Sequence, residues 1–397
     1  FCKQHPGKPC RLLFVAHREE ILKQSLYTFR AVLKDANFGE LLVGNYKADS
    51  IDHLFISIQT FNSQDFTAKT GADFYDYIVV DEFHHAAAPT YQKLLEYYQP
   101  QILLGLTATP ERMDGKSVLD YFGGRIAAEI RLPEAIDRKL SEKKYAAMTV
   151  THVDTSTAVL APVAEIGKMM KKHPETMFIV DGVAATAAEF TDVDGMGIDI
   201  LFTGSQKAFG VCPGMLILWA SERALARRKS LGTIPEYYVD FEKWLPIMEN
   251  PAKYFATPAV NLVWAMKEAT AIISEEGLKA RDARHHKNAQ AIHKALEAIG
   301  FSILAKPECR ADTLSVCIYP NGVDDAKFRA AMFEEGVVVA GALGAYAGKA
   351  FRLGHMGNID QNTIVQALSA VERSLKACGC DIRYGTAVGA YMEAINQ

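Results

Sequence analysis

Two sets of residues in this chain have types and spacings that could do chemistry. The first is Asp81-Glu82-Phe83-His84, which closes the apolar run "YIVV" at 77–80. An Asp at the carboxyl end of a buried strand can hold Mg²⁺ through water, and a Glu beside it can orient or deprotonate an attacking water. The same residues would also make a plain acidic loop after a strand. The second set is Asp181, which closes "TMFIV" at 176–180, and Lys207, which closes "TGSQ" at 203–206. A lysine amine attacks carbonyl carbon, and a carboxylate can hold a protonated pyridine nitrogen. That pair suits pyridoxal phosphate (PLP) chemistry. It suits a structural ion pair between neighbouring strands equally well.

Elements must place these residues. "RLLFVA" (11–16), "LLVGNY" (41–46), "HLFISI" (53–58), "YIVV" and "QILLGLT" (101–107) are short apolar runs separated by amphipathic stretches. This alternation predicts a parallel sheet covered by helices, with strands buried on both faces. In such sheets ligands sit at the carboxyl ends of strands. The runs 77–80 and 101–106 are expected to be neighbouring buried strands, which brings Asp81 and Thr107 to one sheet edge. From 141 onward the character changes without a Gly/Ser/Pro linker. "AAMTVTHV" (146–153), "TMFIVDGV" (176–183), "IDILFTG" (198–204) and "MLILWAS" (215–221) predict a second α/β layer system. A long helix over about 262–298 is expected next. Strands at 301–305 and 313–319, a helix at 324–336 and a last helix over about 360–377 complete the expectation.

The order of the motifs adds a resemblance. "VAHREEIL" (15–22), "SIQTF" (57–61), "VVDEFHH" (79–85) and "LTATPERMDG" (106–115) make residues 1–140 resemble part of the first motor domain of a superfamily 2 helicase of the restriction type. The resemblance implies that Asp81, Glu82 and His84 form a DExH box, and that Thr107 and Thr109 couple ATP hydrolysis to strand movement. "VAHREE" would contact the nucleic-acid backbone. The phosphate loop Gly-x-x-x-x-Gly-Lys-Ser/Thr is not in the sequence. Gly115-Lys116-Ser117 has Pro110 where the first Gly belongs, and Gly348-Lys349-Ala350 has Leu343 there. Neither makes a nest of N–H groups for phosphates. ATP and Mg²⁺ are therefore not expected as ligands, nor nucleic acid as a partner. Helicase motors place the phosphate-loop strand centrally, so a gap in the first sheet is also expected.

Residues 141–397 resemble a class V PLP-dependent aminotransferase of the alanine/serine–glyoxylate type, on "THVDTSTAVLAP", "FIVDGVAA", "GIDILFTGSQKAFGVCPG", "YFATPAVN" and "GKAFRLGHMGNI". The resemblance implies that Lys207 carries the cofactor as a Schiff base and moves the substrate's Cα proton. It implies that Asp181 holds the pyridine nitrogen and Val183 packs on the ring. Thr155 would donate to the ring oxygen, and Gln206 would help hold the cofactor. Tyr254 and Thr257 match positions that reach the partner subunit's cofactor phosphate in family homodimers. Arg352 would grip the substrate carboxylate, for which a guanidinium fork is suited. Ala158 stands where the family usually has Gly, and Cys212-Pro213 replaces Pro-Pro. The family's first third, which carries its phosphate-binding turn, has no counterpart in residues 1–140, so PLP binding is expected to be weak or absent.

The expected fold class is α/β: a partial RecA-like parallel sheet over 1–140, a partial PLP-transferase type I large domain over 141–261, and a long helix with a small α+β domain over 262–397. The 397 residues carry a net charge of −4, with 49% hydrophobic and 23% charged, which gives no global attraction to nucleic acid. No apolar run approaches the roughly 18 residues of a membrane span. Seven scattered cysteines fit reduced thiols in a cytoplasmic protein. The chain starts at Phe1 rather than Met, as a fragment would. His285, His286 and His293 lie in "RHHKNAQAIHKAL", which predicts a solvated helix face, and His355 lies far along the chain, so no metal is assigned. Three functional readings follow. The favoured one is a fusion of two incomplete enzymes with little or no native activity. The others are a working aminotransferase with a replaced N-terminus, acting on amino acids and 2-oxo acids, and a nucleic-acid-dependent ATPase fragment.

Overall fold

Strand β1 (Leu12–Ala16) is buried at every position, and this puts it in the middle of a sheet. The computed structural model describes residues 10–83, 88–107, 121–122 and 125–397. The chain divides into two compact units, 1–129 and 130–397.

In the first unit β1 is joined by β2 (Glu40–Leu42), β3 (His53–Ser57), β4 (Tyr77–Asp81) and β5 (Ile102–Leu106). They form one five-stranded sheet in the order β2-β3-β1-β4-β5, parallel throughout. Helix α1 (Glu19–Leu33) turns Leu22 and Leu26 inward. Helix α2 (Ile58–Ser63) is capped by the Ser57 hydroxyl, which accepts from the Thr60 N–H. Helix α3 (Pro89–Tyr97) opens on proline, whose missing N–H costs nothing in a first turn. Among the described residues the sheet has no gap. The expected break is instead an open edge at β5, where Ile102, Leu104 and Leu106 are 44%, 38% and 40% exposed. Strand β5 is therefore parallel to β4 as expected, but it is not buried.

In the second unit α4 (Leu132–Glu142) packs on α5 (Val163–Met170). Between them lie β6 (Ala147–Thr151), β7 (Val153–Asp154) and β8 (Val159–Leu160). Strand β6 forms a sheet with β9 (Met177–Asp181), β10 (Ile200–Gly204) and β11 (Leu216–Ala220), in the order β11-β10-β9-β6. Only β11 runs antiparallel. Leu140, Ile166, Met170, Phe178, Val180 and Leu201 form the core beneath α4 and α5. Helix α5 comes so close to the following segment that a Cβ on Gly167 would lie 1.8 Å from the Met196 carbonyl oxygen. Helices α6 (Glu222–Ser230) and α7 (Phe241–Glu249) follow.

The long helix expected at 262–298 is two, α8 (Val260–Glu276) and α9 (Leu278–Ala298). Gly277 breaks it with φ of 82°, a conformation open to glycine at little cost. The small domain is an antiparallel sheet of β12 (Ser302–Ile303), β13 (Leu314–Ile318), β14 (Ala340–Gly341) and β15 (Ala350–Gly354), in the order β12-β13-β15-β14. Helices α10 (Asp325–Glu334), α11 (Gln361–Ala377) and α12 (Thr386–Ile395) complete it. Helix α12 has no counterpart in the sequence expectation, and it packs along α9.

Candidate active site

The second unit brings Asp181 and Lys207 to the same end of two neighbouring strands. Strands β9 and β10 are parallel, with Asp181 paired to Phe202, so both chains leave the sheet at its carboxyl edge. Asp181 Oδ1 accepts the Val183 N–H at 2.9 Å, which fixes the turn behind the carboxylate. Among the described residues Oδ2 has no hydrogen-bond donor. The backbone of His152 donates to the Asp181 carbonyl at 2.9 Å. The His152 ring is buried, its Nδ1 has no partner among the described residues, and burial holds its pKa down at about 4.

Lys207 sits in a tied loop. Its carbonyl accepts from Gly210, and the Ser205 carbonyl accepts from Val211, both at 2.9 Å. The Ser205 hydroxyl donates to the Cys212 carbonyl at 2.7 Å. Gly210 has φ of 71°, the turn that brings the chain back. The Lys207 side chain is half-buried and forms no ion pair among the described residues. Gln206 is exposed and folds back over Gly204. Val183 stands two residues after Asp181 on the turn, and its carbonyl accepts the Thr203 hydroxyl at 3.4 Å.

Arg352 and Thr155 also meet. Arg352, on β15, donates from Nε to the Gly341 carbonyl at 2.9 Å and from Nη1 to the Thr155 carbonyl at 3.4 Å. Thr155 lies in a turn closed by Asp154, whose carboxylate accepts from Ser156 and from the Thr157 hydroxyl. The turn ends at Ala158 in the left-handed region, φ 60°. Tyr254 and Thr257 are exposed, and neither hydrogen-bonds to the other predicted residues.

In the first unit the register pairs Asp81 with Leu106, which puts Thr107 one residue beyond at the same carboxyl edge. Asp81 Oδ1 accepts the Glu82 N–H at 2.9 Å. Glu82 has a positive φ of 51°, and its Oε2 lies 3.3 Å from Nδ1 of His17, from the "VAHREE" stretch. His84 and Thr109 lie outside the described residues.

Of the α9 histidines only His286 lies on a solvated face, its side chain 57% exposed. His285 and His293 are buried, as is His355. The Ser315 hydroxyl lies 2.9 Å from Nε2 of both His293 and His355. Charged neighbours in the sequence hid this, because Arg284 and Lys287 flank the inward positions. Among the described residues no three His, Cys, Asp or Glu side chains converge as a metal site would require. The sequence reading also missed Arg281, Glu276 and Asn358, which tie α9 to the Lys207 loop. Arg281 stands among Lys279, Asp282 and Arg284, so the sequence carried no signal of its burial.

A mostly parallel sheet with Asp at one strand end and Lys in the loop after the next strand, together with a small antiparallel domain bearing Arg, defines a PLP-type transferase architecture. Residues 125–351 match the family model "Aminotransferase class-V". The chain belongs to that family. Residues 2–112 match "Type III restriction enzyme, res subunit". An uncharacterized aminotransferase of Methanocaldococcus jannaschii is 35% identical, over 67% of this chain and 68% of that protein. A serine–glyoxylate aminotransferase of Hyphomicrobium methylovorum is 34% identical, over 62% of each. The chain thus spans about two thirds or less of the length of these relatives. Among solved structures, a ureidoglycine–glyoxylate aminotransferase of Bacillus subtilis shares the fold with a TM-score of 0.64 at 21% identity, covering 95% of this chain and 90% of that one. An alanine–glyoxylate aminotransferase of Nostoc sp. has a TM-score of 0.58 at 25% identity, covering 79% of each.

Proposed function

We propose that the chain joins two incomplete enzymes, a helicase-type segment and the lysine-bearing part of an alanine/serine–glyoxylate type aminotransferase. The observation that carries this is the placement of Asp181 and Lys207 at the ends of adjacent parallel strands, with Arg352 bonded to the Thr155 backbone. The residues present suit PLP. An amine without an acid partner can bond an aldehyde, and a carboxylate oxygen without a donor can hold a cationic ring nitrogen. His152, whose backbone donates to the Asp181 carbonyl, has a buried ring Nδ1 without a partner among the described residues. When bound, PLP would supply the electron sink.

The chain's own residues would do the rest. Lys207 would hold the cofactor and carry the Cα proton. Asp181 would hold the ring nitrogen, Val183 would pack on the ring and Thr155 would donate to the ring oxygen. Arg352 would orient the carboxylate of an amino acid or 2-oxo acid. Gln206 would help hold the cofactor, and Tyr254 and Thr257 would reach the cofactor phosphate bound by a second copy of the chain; all three are exposed. The turn at a helix N-terminus that would anchor the cofactor phosphate has no counterpart in residues 1–140. We therefore expect weak PLP binding and transamination at or below detection. Pairing of two copies would cover Tyr254, Thr257 and the exposed Val263 and Trp264 of α8. Among the described residues no helix is long and apolar enough to cross a membrane, and a cytoplasmic location is part of the proposal.

The test is a PLP titration read by visible absorbance, followed by alanine or serine with glyoxylate. A weak band lost in Lys207→Ala is the expected result. Tight binding with turnover, both lost in that variant, would favour a working aminotransferase instead. A band that survives Lys207→Ala would overturn the site.

A further inference from the structure

Arg281, on α9, is 1% exposed, yet its sequence neighbours are surface residues. Its guanidinium reaches four different segments. Nε donates to the Ala187 carbonyl at 2.7 Å, at the end of the turn that begins with Asp181. Nη2 donates to the carbonyl of Ala208, the residue directly after Lys207, at 2.8 Å. Nη1 donates to Asn358 Oδ1 at 2.9 Å, six residues beyond Arg352, and to Glu276 Oε2 at 2.7 Å. Ala187 stands at φ 69°, a conformation that costs energy without glycine and must be held from outside.

The neighbours of Arg281 serve the same loop. Arg284 pairs with Glu276 and donates to the Gly357 and Ile359 carbonyls. His285 accepts the Gly357 N–H at Nε2, 2.9 Å, so its Nδ1 carries the proton and donates to the Arg281 carbonyl at 2.7 Å. A Cβ on Gly357 would lie 3.3 Å from the Ala208 carbonyl oxygen, so this loop lies against the peptide after Lys207.

We propose that Arg281 is a positioning residue for the Lys207 site. It would hold the backbone after Lys207, the end of the Asp181 turn and the segment after Arg352 in one fixed arrangement. The cofactor side of this rests on the aminotransferase reading above. The planar fork is essential to the role. It reaches two carbonyls, an amide oxygen and a carboxylate in separate directions, whereas a lysine at the same place would keep the charge but lose the spread of donors.

The experiment compares wild type with Arg281→Lys, Arg281→Met and Asn358→Ala, all under conditions where circular dichroism shows them folded. The first readout needs no cofactor. Amide hydrogen exchange over 185–189 and 208–211 should speed up by about tenfold or more in Arg281→Lys, the effect of losing a charge-assisted hydrogen bond. Exchange over β13 should stay unchanged. Asn358→Ala should give a smaller effect in the same segments, which keeps the test open if the Arg281 variants do not fold. The second readout is PLP labelling followed by borohydride reduction and peptide mapping. Lys207 should lose its share of label to surface lysines in Arg281→Lys as much as in Arg281→Met. Uniform acceleration of exchange, or none, would overturn the positioning role. So would full rescue of Lys207 labelling by Arg281→Lys. A wild type that labels all lysines alike would instead sink the aminotransferase reading, and the exchange result would still decide the role of Arg281.

Discussion

Single residues set this protein's response to acid and base. Burial holds His152, His285 and His293 down at about 4, and His355 at about 3, from an ordinary value near 6.5. Between about pH 6.5 and 4 the unfolded chain therefore binds more protons at these sites than the folded chain, and their contribution to stability falls as pH falls. Glu189 works the other way. Burial pushes its carboxyl up to about 8, and the Asp312 N–H donates to it. Between about pH 4.5 and 8 the folded chain keeps the proton that the unfolded chain loses, so this contribution falls as pH rises. The histidine terms are silent above about pH 7. Melting temperature should therefore drop on acidification below pH 6.5. It should also decline from pH 7 to 8, and Glu189→Gln should flatten that upper limb. A Glu189→Gln profile parallel to wild type would disprove the assignment. None of these five burials could be read from the sequence. A histidine in a charged helix segment looks solvated until the partner element that covers it is known.

Elements carry their own tests. Gly167 of α5 lies against the Met196 carbonyl, which is backbone and cannot swing away. Gly167→Ala should cost about 2 to 3 kcal/mol in urea unfolding. Ala158 presents the opposite case. It holds a left-handed turn at φ 60° where the family usually has glycine, so Ala158→Gly should stabilise by about 1 kcal/mol. An unchanged midpoint in either variant would show that the local backbone relaxes. Strand positions and directions were legible in the sequence, because runs such as "YIVV" and "TMFIV" are continuous where both faces are covered. The parallel neighbouring of β9 and β10, which bear Asp181 and lead to Lys207, was legible for the same reason. Edge status was not. "QILLGL" reads as a buried strand, yet the structure gives it no neighbour on one side among the described residues. The α8–α9 break was equally hidden, since one glycine in a long apolar pattern is compatible with a continuous helix.

At the scale of the whole molecule, two family matches meet within one chain, over 2–112 and 125–351. Asp81, Glu82 and Thr107 share a sheet edge, but the 397 residues contain no Gly-x-x-x-x-Gly-Lys-Ser/Thr loop to hold a triphosphate. The purified chain should therefore show no nucleic-acid-stimulated ATP hydrolysis, and phosphate release that disappears in Glu82→Gln would refute this. The open strands β5 and β11 have a consequence for how much folded protein can be made. Leu216 and Trp219 on β11 are 62% and 38% exposed, and in the first unit Leu104 and Leu106 of β5 are 38% and 40% exposed. Such margins pair with any similar strand they meet. Reaching the native state is a first-order process, while strand-to-strand capture between chains rises with the square of concentration. Yield would therefore favour slow synthesis and dilution, and forcing production upward would deliver inclusion bodies rather than more product.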